Sequence, residues 1–330
     1  MRTFIAVAAF SVALSGMAQE PRFRVIDLVT RFELPPGAEV MDINNRGDII
    51  AAGGGTGFLL ANGTVRELPR PRGALDYWPD EINENGLILG TGVYGGGHDP
   101  KVSVIWTSGV VGFPNVAPAI GSGSGGPLHS MNDLAVFVGA DHSIWRPIRW
   151  SSGLGLRYLP SPPGIGSATA INNPGVVVGV VTAGGIKRAH RWIGGIAQNL
   201  HPVGYQATVP GAIAEDGTIS GQAVSDSGRY TAAIWQNGVE FMECGGLTEG
   251  GWSFFNDANN RGQVVGWAAI GQNMAAFLWE EGQMHNLEHL IDSRSGITFT
   301  TALAINDRGW ILAAGRRGTQ PTRFLLIPTN

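Results

Sequence analysis

Apolar positions along this chain come in short runs closed by Gly, Asn or Ser, not at the spacing of amphipathic helices. The clearest stretch is 256–290, NDANNRGQVVGWAAIGQNMAAFLWEEGQMHNLEHL. It predicts a unit of short strands at 253–258, 263–267, 274–279 and 283–287, called a, b, c and d in chain order. The a–b link is Asn259-Asn260-Arg261-Gly262: the Asn bonds backbone at the turn start, and the Gly takes the positive φ that closes it. The c–d link is the hairpin sequence Glu281-Gly282.

The first mark recurs at 44–47, 83–86, 132–135, 172–175, 214–217 and 306–309, in steps of 39 to 49 residues. The second recurs as Asn62-Gly63, Ser108-Gly109, Ser152-Gly153, Gly194-Gly195 and Asn237-Gly238. A period in this range means a repeat array. Four-stranded units that need neighbours on both faces predict an all-β, seven-bladed β-propeller. The last unit supplies a, b and c, with c at 323–327, and the run FRVIDL at 23–28 resembles a d strand. It completes the last blade and removes the open edge. One copy has Ala135 for the turn Gly, which predicts a strained or reshaped turn.

Composition agrees with a turn-rich chain: 50 of 330 residues are Gly and 15% are charged. Residues 1–18 pair Arg2 with an apolar run and end on Gly16-Met17-Ala18, which predicts a signal peptide cut after Ala18 and a secreted or periplasmic protein. Residues 19–330 then form one propeller domain. No other apolar run is long enough for a membrane helix, so membrane insertion is not expected. Cys244 is the one cysteine and cannot form an internal bridge. The net charge of −4 argues against nucleic acid as a partner. A monomer is expected.

The pattern A-x-x-I-N-x-x-G-x-x-x-G followed by F-L-W-x-x-G resembles the HAF repeat family, extracellular repeat proteins of bacteria. It is carried by 168–179 with 190–195, by 257–266 with 276–282, and by LEHLIDSRSGITFTTALAINDRG at 287–309. Departures include Ala214 for Asn, and Leu60 and Leu326 for Trp. The resemblance implies a secreted, propeller-like protein made of seven such repeats, and it brings no catalytic motif.

In a propeller of this kind the a–b and c–d turns share one face, and the b–c loops and d–a crossovers share the other. Spacing varies on the second face, with the longest segments at 93–103 and 114–130, so binding is expected there. Its loops carry Lys101, Arg146, Lys187, Arg188, Arg229, Arg316 and Arg317, a basic rim suited to an acidic glycan or an acidic protein surface. Trp106, Trp150, Trp192, Trp235 and Trp279 recur in strand c and read as core. Trp78, Trp145 and Trp252 are off that register and are candidates for sugar contacts. Two residues before the turn Asn stand Asp42, Glu81 and Asp257, and Asp80 and His129 lie nearby. In a central channel these are candidate acids, bases or Ca²⁺ ligands; the alternative is hydrogen bonding to strand backbone of neighbouring blades. Two functions follow: a binding or scaffold propeller for a glycan, envelope component or protein, or a polysaccharide hydrolase or lyase using Asp42, Glu81, Asp257 and His129.

Overall fold

The structure, a computed structural model, describes residues 22–95, 101–107, 110–112 and 128–329. The leader expected at 1–18, the turn at Ser108-Gly109, residues 96–100 of the loop expected at 93–103 and residues 114–127 of the one expected at 114–130 lie outside the described residues. Seven four-stranded antiparallel sheets form the blades of a β-propeller. The inner a strands of blades 1 to 7 are Glu39–Ile43, Asp76–Ile82, Leu128–Met131, Ile165–Ile171, Tyr205–Ile213, Ser253–Ala258 and Ile297–Ile305. Blade 7 takes its d strand from the other end of the chain: Phe23–Asp27 pairs antiparallel with Gln320–Pro328, Phe23 opposite Pro328 and Asp27 opposite Phe324.

That closing strand is one residue shorter than expected. Asp27 ends it by capping a one-turn helix, Leu28–Phe32, its Oδ1 accepting from Thr30 N at 3.1 Å. Leu28 then points into the core and is fully buried. Leu287, expected to end strand d of blade 6, likewise starts a short 3₁₀ turn, Leu287–Leu290. A larger difference concerns the b–c links. Strands b and c run further than the sequence suggested, Val264–Ile270 and Asn273–Glu280 in blade 6, leaving a two-residue turn. Two-residue turns also join b to c in blades 1, 4 and 7. Length taken for loop is strand in these blades; the longer links are in blades 2, 3 and 5.

Apolar faces of adjacent blades form the core. Ile50 and Leu68 of blade 1 and its exit pack with Tyr77, Ile88, Val104 and Trp106 of blade 2. The strand c indoles are buried, and three also donate to the segment leaving the previous blade: Trp106 to Pro69 O at 2.8 Å, Trp192 to Pro160 O at 2.5 Å and Trp235 to Leu200 O at 2.9 Å. The c–d turns of blades 1, 4, 5 and 6 put positive φ on both marked residues, as at Asn62-Gly63 and Asn237-Gly238, whereas blade 3 places it on Gly155 and not on Ser152-Gly153. The turn at Ala135 keeps the common shape, Ala135 N bonding to Asn132 O at 3.2 Å, and Ala135 bears the strain with φ +54.

The turn asparagines do more than start turns. Each Oδ1 of Asn44, Asn83, Asn132, Asn259 and Asn306 accepts backbone N–H groups two and four residues on. Asn172 makes only the second of these, to Val176 N, because Pro174 has no N–H. Each Nδ2 donates to the carbonyl of the equivalent residue in the next blade: Asn44 to Asn83, Asn83 to Asn132, Asn132 to Asn172, Asn172 to Ala214, Asn259 to Asn306 and Asn306 to Asn44, at 2.9–3.2 Å. All six side chains are buried. Blade 5 breaks the belt because it has Ala214. There Asp216 Oδ1 takes over the Thr218 N–H at 2.8 Å, and a small cavity lined by Ala214, Ser220, Asn259 and Val264 is left beside the methyl group.

Two substitutions test the belt. Ala214→Asn fills the cavity and adds the missing bond to Asn259 O, and should stabilise the fold by about 1 kcal/mol. Asn132→Ala strands buried N–H and C=O groups on two blades and should cost about 2–3 kcal/mol. Melting temperatures of both variants check this, and a drop for Ala214→Asn would show that blade 5 is shaped to exclude the amide.

Candidate functional site

In every blade strand a carries a β-bulge at the same place, leaving unpaired Met41, Asp80, His129, Thr169, Gly211, Asn256 and Leu303. A bulge bends its strand and re-aims a side chain, and all seven of these residues line the central channel. Next to the bulge, strand a runs close against the Gly of strand b in four blades. A Cβ on Gly90, Gly179, Gly221 or Gly266 would lie 2.3, 2.2, 2.3 or 1.9 Å from a strand a carbonyl oxygen. Ala51 and Ala313 occupy that place in blades 1 and 7.

Polar side chains in the channel form three levels. At the a–b mouth stand Asn45, Glu84, Asp133, Asn173, Glu215, Asn260 and Asp307, each following the turn Asn or Ala. Each backbone N–H donates to the side-chain oxygen of the equivalent residue in the next blade, at 2.6–3.2 Å, and the circuit closes from Asp307 N to Asn45 Oδ1 at 2.7 Å. Every one of these residues carries a side-chain oxygen, a regularity present in the sequence that points to a structural circuit and not to catalysis.

The second level holds Asp42, Glu81 and Asp257, each half-buried. Asp42 accepts from Ile43 N at 2.7 Å and from Ile82 N of the next blade at 2.9 Å. Glu81 accepts from Met131 N at 3.0 Å and Ser130 Oγ at 3.2 Å, again in the next blade. Asp257 accepts from Ala258 N and from Ile305 N of the next blade, both at 2.8 Å. Of the two arrangements open from the sequence, these carboxyls take the one bonded to neighbouring blades: both oxygens of each are engaged, mainly in joining blades. Burial raises all three pKa values against these bonds, Asp257 to about 8 with the Asp42 charge adding to the push, and Glu81 well above its ordinary range with Asp42 again contributing.

The third level contains the bulge residues. Asp80 is open to the channel, yet partial desolvation by the channel walls lifts it to about 6 although the Thr91 hydroxyl donates to it at 2.8 Å. His129 Nδ1 donates to Ala168 O at 3.0 Å, which leaves the Nε2 of the neutral ring with the lone pair, and partial desolvation by the channel walls lowers its pKa although the ring is open to the channel. His142 lies 5.7 Å from His129 between ring centroids, and Trp145 lies 4.9 Å from His142. Trp145 has φ +52 in the four-residue b–c turn of blade 3. Among the described residues no Lys or Arg lines the channel, which favours a neutral or cationic occupant. Among the described residues no group of three or more His, Cys, Asp or Glu is placed to hold a metal ion.

The basic rim exists on the b–c side, but its members are spread over blades 2, 3, 4, 5 and 7. Several are committed within the chain. Arg229 pairs with Glu243, and Arg317 lies 3.6 Å from Asp27. Lys101 sits 5.4 Å from the Trp78 ring and Arg146 4.7 Å from the Tyr158 ring. Arg188 donates to Ala183 O at 2.9 Å, while Lys187 and Arg316 are exposed.

The channel carboxyls set a pH dependence. Unfolded carboxyls titrate near about pH 4. A carboxyl whose pKa is raised on folding contributes its full stability below that value and loses it as pH climbs through the folded pKa. For Asp257 that window runs from about pH 4 to about 8, and for Asp80 to about 6. His129, His142, His190 and His201, all held below the ordinary histidine value, oppose this only below about pH 6.5. Melting temperature should therefore rise as pH is lowered from about 8.5 to about 7, and Asp257→Asn should flatten the slope. A wild-type curve that is level or falls over this range would contradict the raised carboxyls.

No family model matches the sequence, and no curated protein matches it. Among solved structures the chain is similar to YCF48 bound to D1 peptide, with TM-score 0.57, 15% identity, and 94% of this chain and 97% of that chain covered. It is similar to a streptogramin B lyase at TM-score 0.57 and 13% identity, covering 93% and 98%. Virginiamycin B lyase from Staphylococcus aureus gives TM-score 0.57 and 11% identity, covering 94% and 100%. Likeness at these identities establishes the shared β-propeller architecture.

Proposed function

We propose that this chain is a secreted or periplasmic binding propeller that presents its b–c turns and d–a crossovers to a glycan, a cell-envelope component or a protein. One observation carries the reading. The exposed large aromatics among the described residues are Trp145, Tyr158, Tyr230 and Trp252, at 46%, 42%, 37% and 48% exposure, and all four stand at the b–c and d–a ends of their strands. The opposite face exposes aliphatic residues at its turns, such as Leu134, Leu154 and Ile196. Rigid rings held at the surface supply contact area at low entropic cost. The channel carboxyls, spent on joining blades, fit a scaffold better than a catalytic pair. The structure of YCF48 with D1 peptide is a precedent for a propeller as a peptide binder. The leader at 1–18 and the HAF-like repeats support the extracytoplasmic setting.

The hydrolase or lyase reading retains one supporting observation: His129 keeps a lone pair at Nε2, and Asp80, with its pKa near 6, lines the same channel. A screen of glycans, peptides and Ca²⁺ by thermal shift on the chain from Gln19 separates the two. The binding reading expects a ligand that raises the melting temperature and is not turned over. Its affinity should fall on replacing Trp145 or Trp252 with Ala and hold on replacing Leu154 or Ile196 with Ser. Polysaccharide cleavage abolished by His129→Ala would establish the enzyme instead. A Ca²⁺-dependent shift lost in Asp42→Asn would place a cation in the channel.

A further inference from the structure

The b–c face carries one stack of rings that the fold itself does not require. Trp252, at the entry to strand a of blade 6, lies 5.5 Å from Tyr230, the first residue of strand c in blade 5. Tyr230 is stacked on Phe254 at 5.2 Å and 19°, and Phe254 on Trp267 at 4.1 Å and 11°. Tyr230 and Trp252 are exposed and the other two half-buried. Trp252 O accepts from Ala269 N at 2.9 Å, which fixes the entry segment against strand b of the same blade. The stack therefore stands between two b–c turns, 225–229 of blade 5 and 271–272 of blade 6.

At two other places on this face the chain covers a ring with a cation, Lys101 over Trp78 and Arg146 over Tyr158. Here the nearest cation in sequence, Arg229, is neutralised by Glu243. The flanking turns offer Ser225, Ser227, Gln272 and Asn273, uncharged donors and acceptors, together with the carboxylate of Asp226. Flat ring faces bordered by hydroxyls and amides suit the C–H face and equatorial hydroxyls of a pyranose. Asp226 disfavours a uronic acid by like-charge repulsion. A peptide side chain would instead seek a closed apolar pocket.

We propose that Trp252 and Tyr230, backed by Phe254 and Trp267, form a binding site for a glycan chain of uncharged pyranose units. The proposal rests on the b–c face being the binding face and names its ligand class there.

The test titrates the chain from Gln19 with cellohexaose, with the hexamer of N-acetylglucosamine and with a hexamer of galacturonic acid, by calorimetry and tryptophan fluorescence. At least one uncharged hexamer should bind and the galacturonate hexamer should not. Trp252→Ala and Tyr230→Ala should each weaken binding by roughly tenfold or more, and Trp252→Phe, which keeps a ring, should restore most of it. Unchanged melting temperatures show that the variants fold. Binding of the galacturonate hexamer alone, or of no hexamer, overturns the proposal. Binding that survives both alanine variants but is lost in Trp145→Ala also overturns it while leaving the b–c face as the binding face. Binding indifferent to all three variants removes both readings.

Discussion

The bond from each turn asparagine to the next blade's carbonyl sets the geometry of this ring. An amide side chain has both a donor and an acceptor, so one buried residue can close its own turn through Oδ1 and reach the neighbouring blade through Nδ2. Serine or aspartate could close the turn but could not supply the same fixed amide donor. Because Asn306 bonds to Asn44, the belt crosses the seam where the chain's two ends meet. The paired strands Phe23–Asp27 and Gln320–Pro328 then close the ring at its periphery while the amides close it at the centre. The single gap, at Ala214, falls where Asp216 satisfies part of the turn, so the ring tolerates one missing link and remains continuous at the adjacent mouth level.

The same logic explains the electrostatics of the channel. Drawing seven inner strands together aims backbone N–H groups toward the next blade, and these need acceptors. Asp42, Glu81, Asp257 and the mouth residues supply them. Carboxylates are stronger acceptors than amides, but several of them in one channel repel, and burial adds to the cost of charge. Raised pKa values at Asp257 and Glu81 record that conflict. Perturbed carboxyls in a cleft commonly signal catalysis, yet structural networks perturb pKa values too; here both oxygens of each carboxyl face hydrogen-bond donors.

The blade count, the closing strand and the buried strand c tryptophans were legible in the sequence because each is written as a residue type at fixed phase. Asn-x-x-Gly and Trp-x-x-Gly survive loss of any single copy. The bulge was not legible, since it is a pairing shift rather than a residue type; its trace is the Gly of strand b, such as Gly266, which reads equally well as a turn. The role of Asp42 could be bracketed and not decided: a carboxylate two residues before the turn looks the same whether it faces substrate or the Ile82 N–H. The b–c links misled for a related reason. Blades 1, 4, 6 and 7 extend their strands through residues that are polar or small, such as Gly53, Thr182 and Ala269, and the apolar pattern fades before the ladder does.

Those long strands bear on where a ligand can sit. Two-residue hairpins are stiff, so most of the b–c face is a rigid rim with little relief of its own. Relief comes from the entry segments and from the longer links of blades 3 and 5, and the exposed rings Trp145, Tyr230 and Trp252 stand beside those segments. A rigid rim bearing a few aromatic prominences loses little conformational entropy on binding. On the proposed binding reading, such a rim would hold an extended ligand against the ring stack between blades 5 and 6. The belt of amides fixes each blade against the next at the channel, which links the architecture of the channel to the rigidity of the face above it.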